Sequence, residues 1–432
     1  MKRILVVTYY WPPTGGSGVQ RWVKFSKYLP SKGWQPVIYT PENPEQLARD
    51  ESLLKDVPEC VEVLKTRIFE PYEIYRRLTG KKKGGASGGE VNPLNAGKKS
   101  FAAKLAVWIR GNLFVPDPRA GWVKPSVKFL KKYILEHPVD AIVTTGPPQS
   151  MHLIGLGLKK ALGADCPRWI ADFRDPWTQM FYFKHMGLWP LAERKHRRLE
   201  KKVLDGCDAV ISVTPLVQKD FQAKTSTPVH LVTNGFDPDD FPSGEVPRAE
   251  GEFRITHTGL FASDGNPLEL WKVLAAKCEE DPAFRSALRI RLAGKVDAGI
   301  IAAVNAAGLG GNLCNLGYLP HDITSLEQRQ ADILILPLRQ EPEYLKVLPG
   351  KIFEYLAARR PVLGIGQENG AAAAVLSGSG AGEMFDWDRA GGMRAFVDRE
   401  WDRWKAGDRD CVGSDISGYS RPALTEKLIE LI

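Results

Sequence analysis

The chain has 432 residues, 43% hydrophobic and 25% charged, an ordinary globular composition with length enough for two sizeable α/β domains. No run of about 18 uninterrupted apolar residues occurs, and the apolar part of the N-terminal segment is too short for a signal peptide, so a cytoplasmic protein is expected. Six cysteines lie far apart, with no close pair of the zinc or redox type, and a formal charge of +8 favours acidic partners: nucleotide diphosphates, an anionic membrane surface or nucleic acid.

A first strand is predicted at Ile4–Thr8. It runs into Tyr9-Tyr10-Trp11-Pro12-Pro13-Thr14-Gly15-Gly16-Ser17-Gly18 and then a helical stretch from Val19 to Leu29. Strand, glycine-rich turn and helix form a phosphate-binding arrangement, because glycine lets backbone approach a ligand and a helix N-terminus presents free N–H groups. The same glycines would equally serve a tight turn with no ligand. The segment lacks the Gly-Lys-Ser/Thr of a Walker loop and the Gly-x-Gly-x-x-Gly dinucleotide fingerprint.

Further strands are expected at Val37–Thr40, Ala141–Thr145, Trp169–Phe173, Ala209–Thr214 and His230–Thr233; their alternation with helical stretches argues for a parallel sheet. The Lys/Gly/Ser-rich run Lys81–Gly89 predicts a mobile loop within residues 80–100. Gly146-Pro147-Pro148-Gln149-Ser150-Met151-His152 and Asp172-Phe173-Arg174-Asp175-Pro176-Trp177 each follow a strand, at the edge where α/β sheets bind ligands. Asp175 is a candidate acceptor-side base, although an Asp–Arg pair can simply brace a loop. Between Leu188 and Leu204, six basic residues and apolar residues at helical spacing describe a basic amphipathic helix, fit for anionic lipid or for solvent alone.

After a polar, proline-bearing stretch from Asp237 to Glu252, the pattern restarts with strands at Arg254–Thr258, Ile290–Ala293, Cys314–Leu319, Asp332–Leu338 and Pro361–Ile365, placing a domain boundary near residue 245. Domains are expected at 1–245 and 246–412, with a C-terminal helix in 413–432. Pro349-Gly350 starts a helix near Lys351 that Arg360-Pro361 ends. Glu354, in its first turn, suits the helix dipole and is also placed to accept hydrogen bonds from a ribose diol, while Lys351 would neutralise phosphate.

Three features occur in order: Gly15-Gly16 after strand one, Val232-Thr233-Asn234-Gly235-Phe236-Asp237 before the domain change, and Pro349-Gly350-Lys351-Ile352-Phe353-Glu354-Tyr355-Leu356-Ala357 ahead of Pro361-Val362-Leu363. Together they resemble the family 4 group of GT-B glycosyltransferases (bacterial group 1 type) over nearly the whole chain. The resemblance implies an α/β, GT-B protein whose two Rossmann-like domains face each other across a cleft, the nucleotide-sugar sitting on the C-terminal one. Glu354 would hold the ribose, Gly15 and Gly16 would face the diphosphate or acceptor, and His152 would bond the donor sugar or a phosphate. Where the family has a glutamate eight residues before the ribose-binding one, this chain has Lys346. The bases that usually clamp the diphosphate after the first C-domain strand are absent from Gly259–Asp264; Gly259 is the donor-binding candidate of that loop, and Lys295 is the best substitute for the bases.

The resemblance further implies transfer with retention to a glycan or lipid-linked acceptor in cell-envelope or polysaccharide synthesis. No metal or other cofactor is expected; the chain has no His/Cys ligand cluster, so positive side chains and helix N-termini would stabilise the departing diphosphate. Three rivals stand beside this reading: a Rossmann oxidoreductase, disfavoured by the missing fingerprint; a nonhydrolysing sugar-nucleotide epimerase; and a nucleotide-sugar-binding relative without catalysis. Nucleic-acid binding ranks lowest, since no recognisable module interleaves the basic residues.

Overall fold

In a computed structural model, residues 1–45, 49–70, 101–180, 183–241, 244, 246, 249–408 and 415–432 are described. The expected mobile loop at 80–100 lies outside them. The chain divides into two compact units, Met1–Thr233 with Leu424–Ile432, and Asn234–Ala423.

The first unit is built on seven described strands, β1 (Lys2–Val7), β2 (Trp34–Pro41), β3 (Glu62–Thr66), β4 (Ala141–Gly146), β5 (Arg168–Phe173), β6 (Ala209–Ser212) and β7 (Val229–Leu231). They are all parallel, in the order β3-β2-β1-β4-β5-β6-β7. Helices α1 (Ser17–Tyr28), α2 (Phe101–Leu113), α3 (Val123–Glu136), α4 (Ser150–Leu162), α5 (Pro190–Gly206) and α6 (Pro215–Gln222) connect them. Because a doubly covered sheet buries both faces, its central strands read as unbroken apolar runs rather than alternating ones. Leu5, Val7, Tyr39, Ile142 and Trp169 enter one core and Ile4, Val6, Ile38, Val143 and Ile170 the other, as the two-residue period requires.

The second unit repeats the plan with β8 (Phe253–Thr258), β9 (Leu288–Ala293), β10 (Leu313–Gly317), β11 (Ile333–Pro337), β12 (Val362–Ile365) and β13 (Gly382–Phe385). These are again all parallel, ordered β10-β9-β8-β11-β12-β13. Its helices are α7 (Leu268–Glu280), α8 (Pro282–Ala287), α9 (Ala298–Ala306), α10 (His321–Gln330), α11 (Lys351–Ala358), α12 (Ala371–Ser379) and α13 (Ala390–Lys405). The chain then returns as α14 (Arg421–Ile429), whose Leu424 and Leu428, one helical turn apart, are buried with Ile4, Val6 and Trp22 of the first unit. Thus α/β architecture with two Rossmann-like sheets is observed. No described helix is long and apolar enough to cross a membrane.

Candidate functional site

In the second sheet the strand order reverses between β8 and β11, and doubly wound sheets bind ligands at the carboxyl ends of strands flanking such a reversal. Here three strands end in glycines with positive φ: Gly259 after β8 (+90°), Gly294 after β9 (+110°) and Gly317 at the end of β10 (+65°). Gly259 N donates to Ala293 O at 2.7 Å, and Gly294 N to Gly317 O at 2.6 Å. A Cβ on Gly294 would lie 2.4 Å from the Gly259 carbonyl oxygen, so the two turns close on each other only because that residue has no side chain.

Helix α11 begins beside these turns, and its N-cap Gly350 makes no side-chain cap bond. Its first residue, Lys351, reaches under the loop after β8, where Nζ donates to Leu260 O at 3.3 Å and meets His257 Nε2 at 3.2 Å. His257 is buried within β8, with Nδ1 3.1 Å from the Ile335 carbonyl oxygen. Nε2 also lies 3.4 Å from the Leu260 carbonyl oxygen, but only Nε2 has an ammonium beside it; with the shorter carbonyl contact at Nδ1, the neutral ring carries its proton there and presents the Nε2 lone pair to the lysine. Burial, reinforced by the Lys351 charge, holds His257 well below its ordinary range. Burial also lowers Lys351 to about 8, against the opposing pull of Glu354.

Glu354 Oε2 accepts from Gln328 Nε2 at 3.0 Å, and the same amide donates to Thr258 Oγ1 at 2.9 Å. Thr258 N in turn donates to the Tyr355 hydroxyl at 3.1 Å. The end of β8, α10 and α11 are thereby tied around one carboxylate and one ammonium. Gly259, Lys351 and Glu354, all named from sequence, come together here. The side chain of Lys295 is exposed, and its backbone carbonyl accepts from Phe261 N at 3.0 Å. Sequence reasoning missed His257, Gln328 and Tyr355, which carry no motif; only Tyr355, adjacent to Glu354, stood within a quoted block.

The first sheet reverses between β1 and β4, and the two glycine- and proline-bearing segments lie at that reversal. Gly16, with φ +104°, precedes α1 with no side-chain cap bond; Gly15 beside it is buried. The guanidinium of Arg174 joins the two loops, donating to Gly18 O at 2.6 Å, to Gly146 O at 3.3 Å and to Pro147 O. Behind it, Asp172 receives a paired contact from Arg21 (3.1 and 3.0 Å) together with Trp22 Nε1 and Thr145 Oγ1, both at 2.9 Å. Burial opposes ionisation of Asp172, yet the Arg21 charge and hydrogen bonds hold its carboxyl below the usual range. Asp175, half-buried, is pushed up by burial against the attraction of Arg174.

His152 is fully buried, stacked on Phe173 with ring centroids 4.1 Å apart. Its Nδ1 lies 2.9 Å from Thr144 Oγ1, and that oxygen accepts from Trp169 Nε1 at 3.0 Å. With one donor already on it, the threonine hydroxyl is free to give its proton to Nδ1, leaving Nε2 as the N–H. Among the described residues neither that Nε2 nor Gln149 Oε1 has a hydrogen-bond partner, and both face Gly146, whose Cβ would meet them at 2.6 and 2.8 Å. Burial lowers His152 to about 3, so its imidazole is neutral. Among the described residues no group of three or more His, Cys, Asp or Glu side chains is arranged to hold a metal ion.

These two sheets, over the whole chain, have the fold of the GT-B glycosyltransferases. Three solved structures give the measure of the likeness. A glycosyltransferase from Rickettsia africae ESF-5 is 14% identical, covers 100% of this chain and 97% of its own, and has a TM-score of 0.59. An E. coli trehalose-6-phosphate structure bound with UDP-2-fluoro glucose is 14% identical, with 99% and 98% covered and a TM-score of 0.59. A putative UDP-N-acetylglucosamine 2-epimerase from Listeria monocytogenes is 9% identical, with 99% and 94% covered and a TM-score of 0.55. No family model matches the sequence, and no curated protein matches it.

Proposed function

We propose that this chain is a metal-independent glycosyltransferase, similar to the family 4 group, that moves a hexosyl unit from a nucleotide-sugar to a glycan or lipid-linked acceptor on the cytoplasmic side of cell-envelope or polysaccharide synthesis. The observation that carries the reading is the convergence of Gly259, Lys351 and Glu354 at the strand-order reversal of the second sheet. Close-turning glycines leave room for a diphosphate, while the Lys351 ammonium and the uncapped start of α11 supply positive charge. Glu354, held by Gln328, is the acceptor for a ribose diol. In the first unit, His152 offers Nε2–H to a sugar or phosphate oxygen, Gly15 and Gly16 offer backbone N–H groups, and Asp175 is the acceptor-side base.

In the reaction the bond from the anomeric carbon to the diphosphate oxygen breaks, and one to the acceptor oxygen forms. The acceptor proton leaves with the nucleoside diphosphate or with Asp175. Charge develops on the departing diphosphate, which is where Lys351 lowers the barrier. Retention at the anomeric carbon is part of the proposal.

The test is a thermal-shift screen against uridine, guanosine, adenosine and cytidine diphosphate sugars, with NAD, NADP and EDTA present in separate arms; a ligand binding only the folded state raises the melting temperature with concentration. One nucleotide-sugar series is expected to stabilise, and its release as free nucleoside diphosphate with acceptor present completes the case. Stabilisation by NAD or NADP alone would overturn it. The likeness to the Listeria epimerase fold favours a second reading, a nonhydrolysing epimerase; conversion of the donor to its epimer without an acceptor would select it.

A further inference from the structure

Helix α5 carries two faces of opposite character. Ala192, His196 and Val203 are buried, and Leu199 packs on the same core. Leu191, Lys195, Arg198 and Lys202 recur at the same spacing one residue earlier, on the adjoining face, and are all exposed, with exposed Arg194 flanking them. The spacing i, i+4, i+7, i+11 makes these a single stripe. The flanking cations are already neutralised: Arg197 pairs with Glu193 at 2.7 Å and Lys201 with Asp205 at 2.6 Å. Among the described residues, the stripe's three cations and Arg194 beside them have no acidic partner.

The stripe ends at an apolar corner. Trp189, 57% exposed, precedes the helix; Leu191 is 78% exposed and Leu113, at the end of α2, 63%. This corner is built rather than frayed. The Trp189 ring stands edge-on to Trp108 at 4.8 Å; Trp189 N donates to Asn112 Oδ1 at 2.6 Å, and Asn112 Nδ2 donates to Gly187 O at 3.2 Å. Packing thus fixes the segment that holds large apolar side chains out to solvent, which costs free energy unless something covers them. A nucleic acid or acidic protein would match the cations but leave Leu191 and Leu113 wet. An anionic bilayer matches both: headgroup phosphates for the stripe, and the interfacial zone, where tryptophan concentrates, for the corner.

We infer that this face of the first unit docks on an anionic lipid bilayer, with the α5 stripe on the headgroups and Trp189, Leu191 and Leu113 at the headgroup–acyl boundary. The inference stands on the surface alone and does not depend on the sugar chemistry; the donor screen above uses no vesicles, so the two fail separately. The experiment is cosedimentation of the full chain with vesicles of phosphatidylcholine alone and of phosphatidylcholine with phosphatidylglycerol, at low and high salt. Binding to the anionic vesicles only, weakened by salt, is expected. Each cation near the surface contributes about fivefold to partitioning, so R194Q/K195Q/R198Q/K202Q loses roughly a hundredfold or more, and W189S/L191S loses binding at salt concentrations where the wild type still sediments. All substituted residues are exposed, and circular dichroism melting identifies any variant that fails to fold. No sedimentation with anionic vesicles, equal sedimentation with neutral ones, or wild-type binding by the four-cation variant would overturn the inference. Wild-type binding by W189S/L191S would also overturn it, showing an electrostatic surface for an acidic macromolecule instead.

Discussion

Lys351 Nζ lies 3.2 Å from the unprotonated Nε2 of His257, so a buried neutral imidazole positions the one ammonium that serves the proposed diphosphate site. This arrangement answers the missing bases after β8: a lysine from α11 reaches the loop that carries none.

Lys351→Met is therefore expected to weaken nucleoside diphosphate binding by tenfold or more with little loss of melting temperature, since Lys351 is lowered to about 8 and its charge is held against burial. The wild-type affinity falls as pH rises past about 8, as the ammonium loses its proton, and Lys351→Arg keeps its affinity there. Calorimetric titration between pH 7 and 9.5 measures this; a pH-independent wild type would remove Lys351 from the site.

Glu354→Ala is expected to weaken nucleotide-sugar binding much more than it alters folding. Gln328→Leu removes the amide that holds Glu354 and Thr258, and should raise KM for the donor several-fold while leaving kcat within about twofold, a split expected when ground-state and transition-state binding fall together. Steady-state kinetics decides, and a fall in kcat alone would contradict the assignment of Gln328 to Glu354.

Acid stability follows from His152 and His257. Both fold neutral with depressed pKa values, His152 at about 3, whereas an unfolded histidine titrates near 6.5. Below that pH the unfolded chain binds protons the folded chain refuses, so stability present above about 6.5 is lost as pH falls, by up to about 1.4 kcal/mol per pH unit for each buried histidine. Denaturant unfolding at pH 7, 6 and 5 should show this slope, and His152→Gln should flatten it in the first unit.

The Arg21–Asp172 pair is almost wholly buried. Asp172→Ala leaves the Arg21 charge without its carboxylate, and removing one partner of such a pair costs about 3–5 kcal/mol. The expected result is a strongly lowered melting temperature for the first unit; a change under about 1 kcal/mol would show that Val232 O and Thr233 O, which Arg21 also bonds, suffice to satisfy the guanidinium.

Most central strands were legible because burial on both faces forces unbroken apolar runs such as Ile4–Val7 and Ile333–Leu336. The edge strands β3 and β13 were not: Glu62-Val63-Leu64-Lys65-Thr66 and Gly382-Glu383-Met384-Phe385 are only half-covered and mix charge with apolar residues, so no period stands out. In the site, glycine turns and the Pro349–Glu354 block were visible because local backbone geometry demands particular residues. His257 and Gln328 were invisible because their roles come from β8, α10 and α11 meeting in space. The partner of the α14 leucines was likewise unreadable, since helical spacing reveals an apolar face and not what covers it.

Leu424 and Leu428 fill the first unit's core although the whole second unit intervenes between Thr233 and them. In chain terms the second unit is an insertion. A ribosome that has released residues 1–233 has delivered all seven described strands of the first sheet, but Leu424 and Leu428, which complete its core, follow only after every strand of the second unit. The first unit to emerge is thus the last able to finish folding. Loss of residues after 423 would wound the beginning of the protein rather than its end.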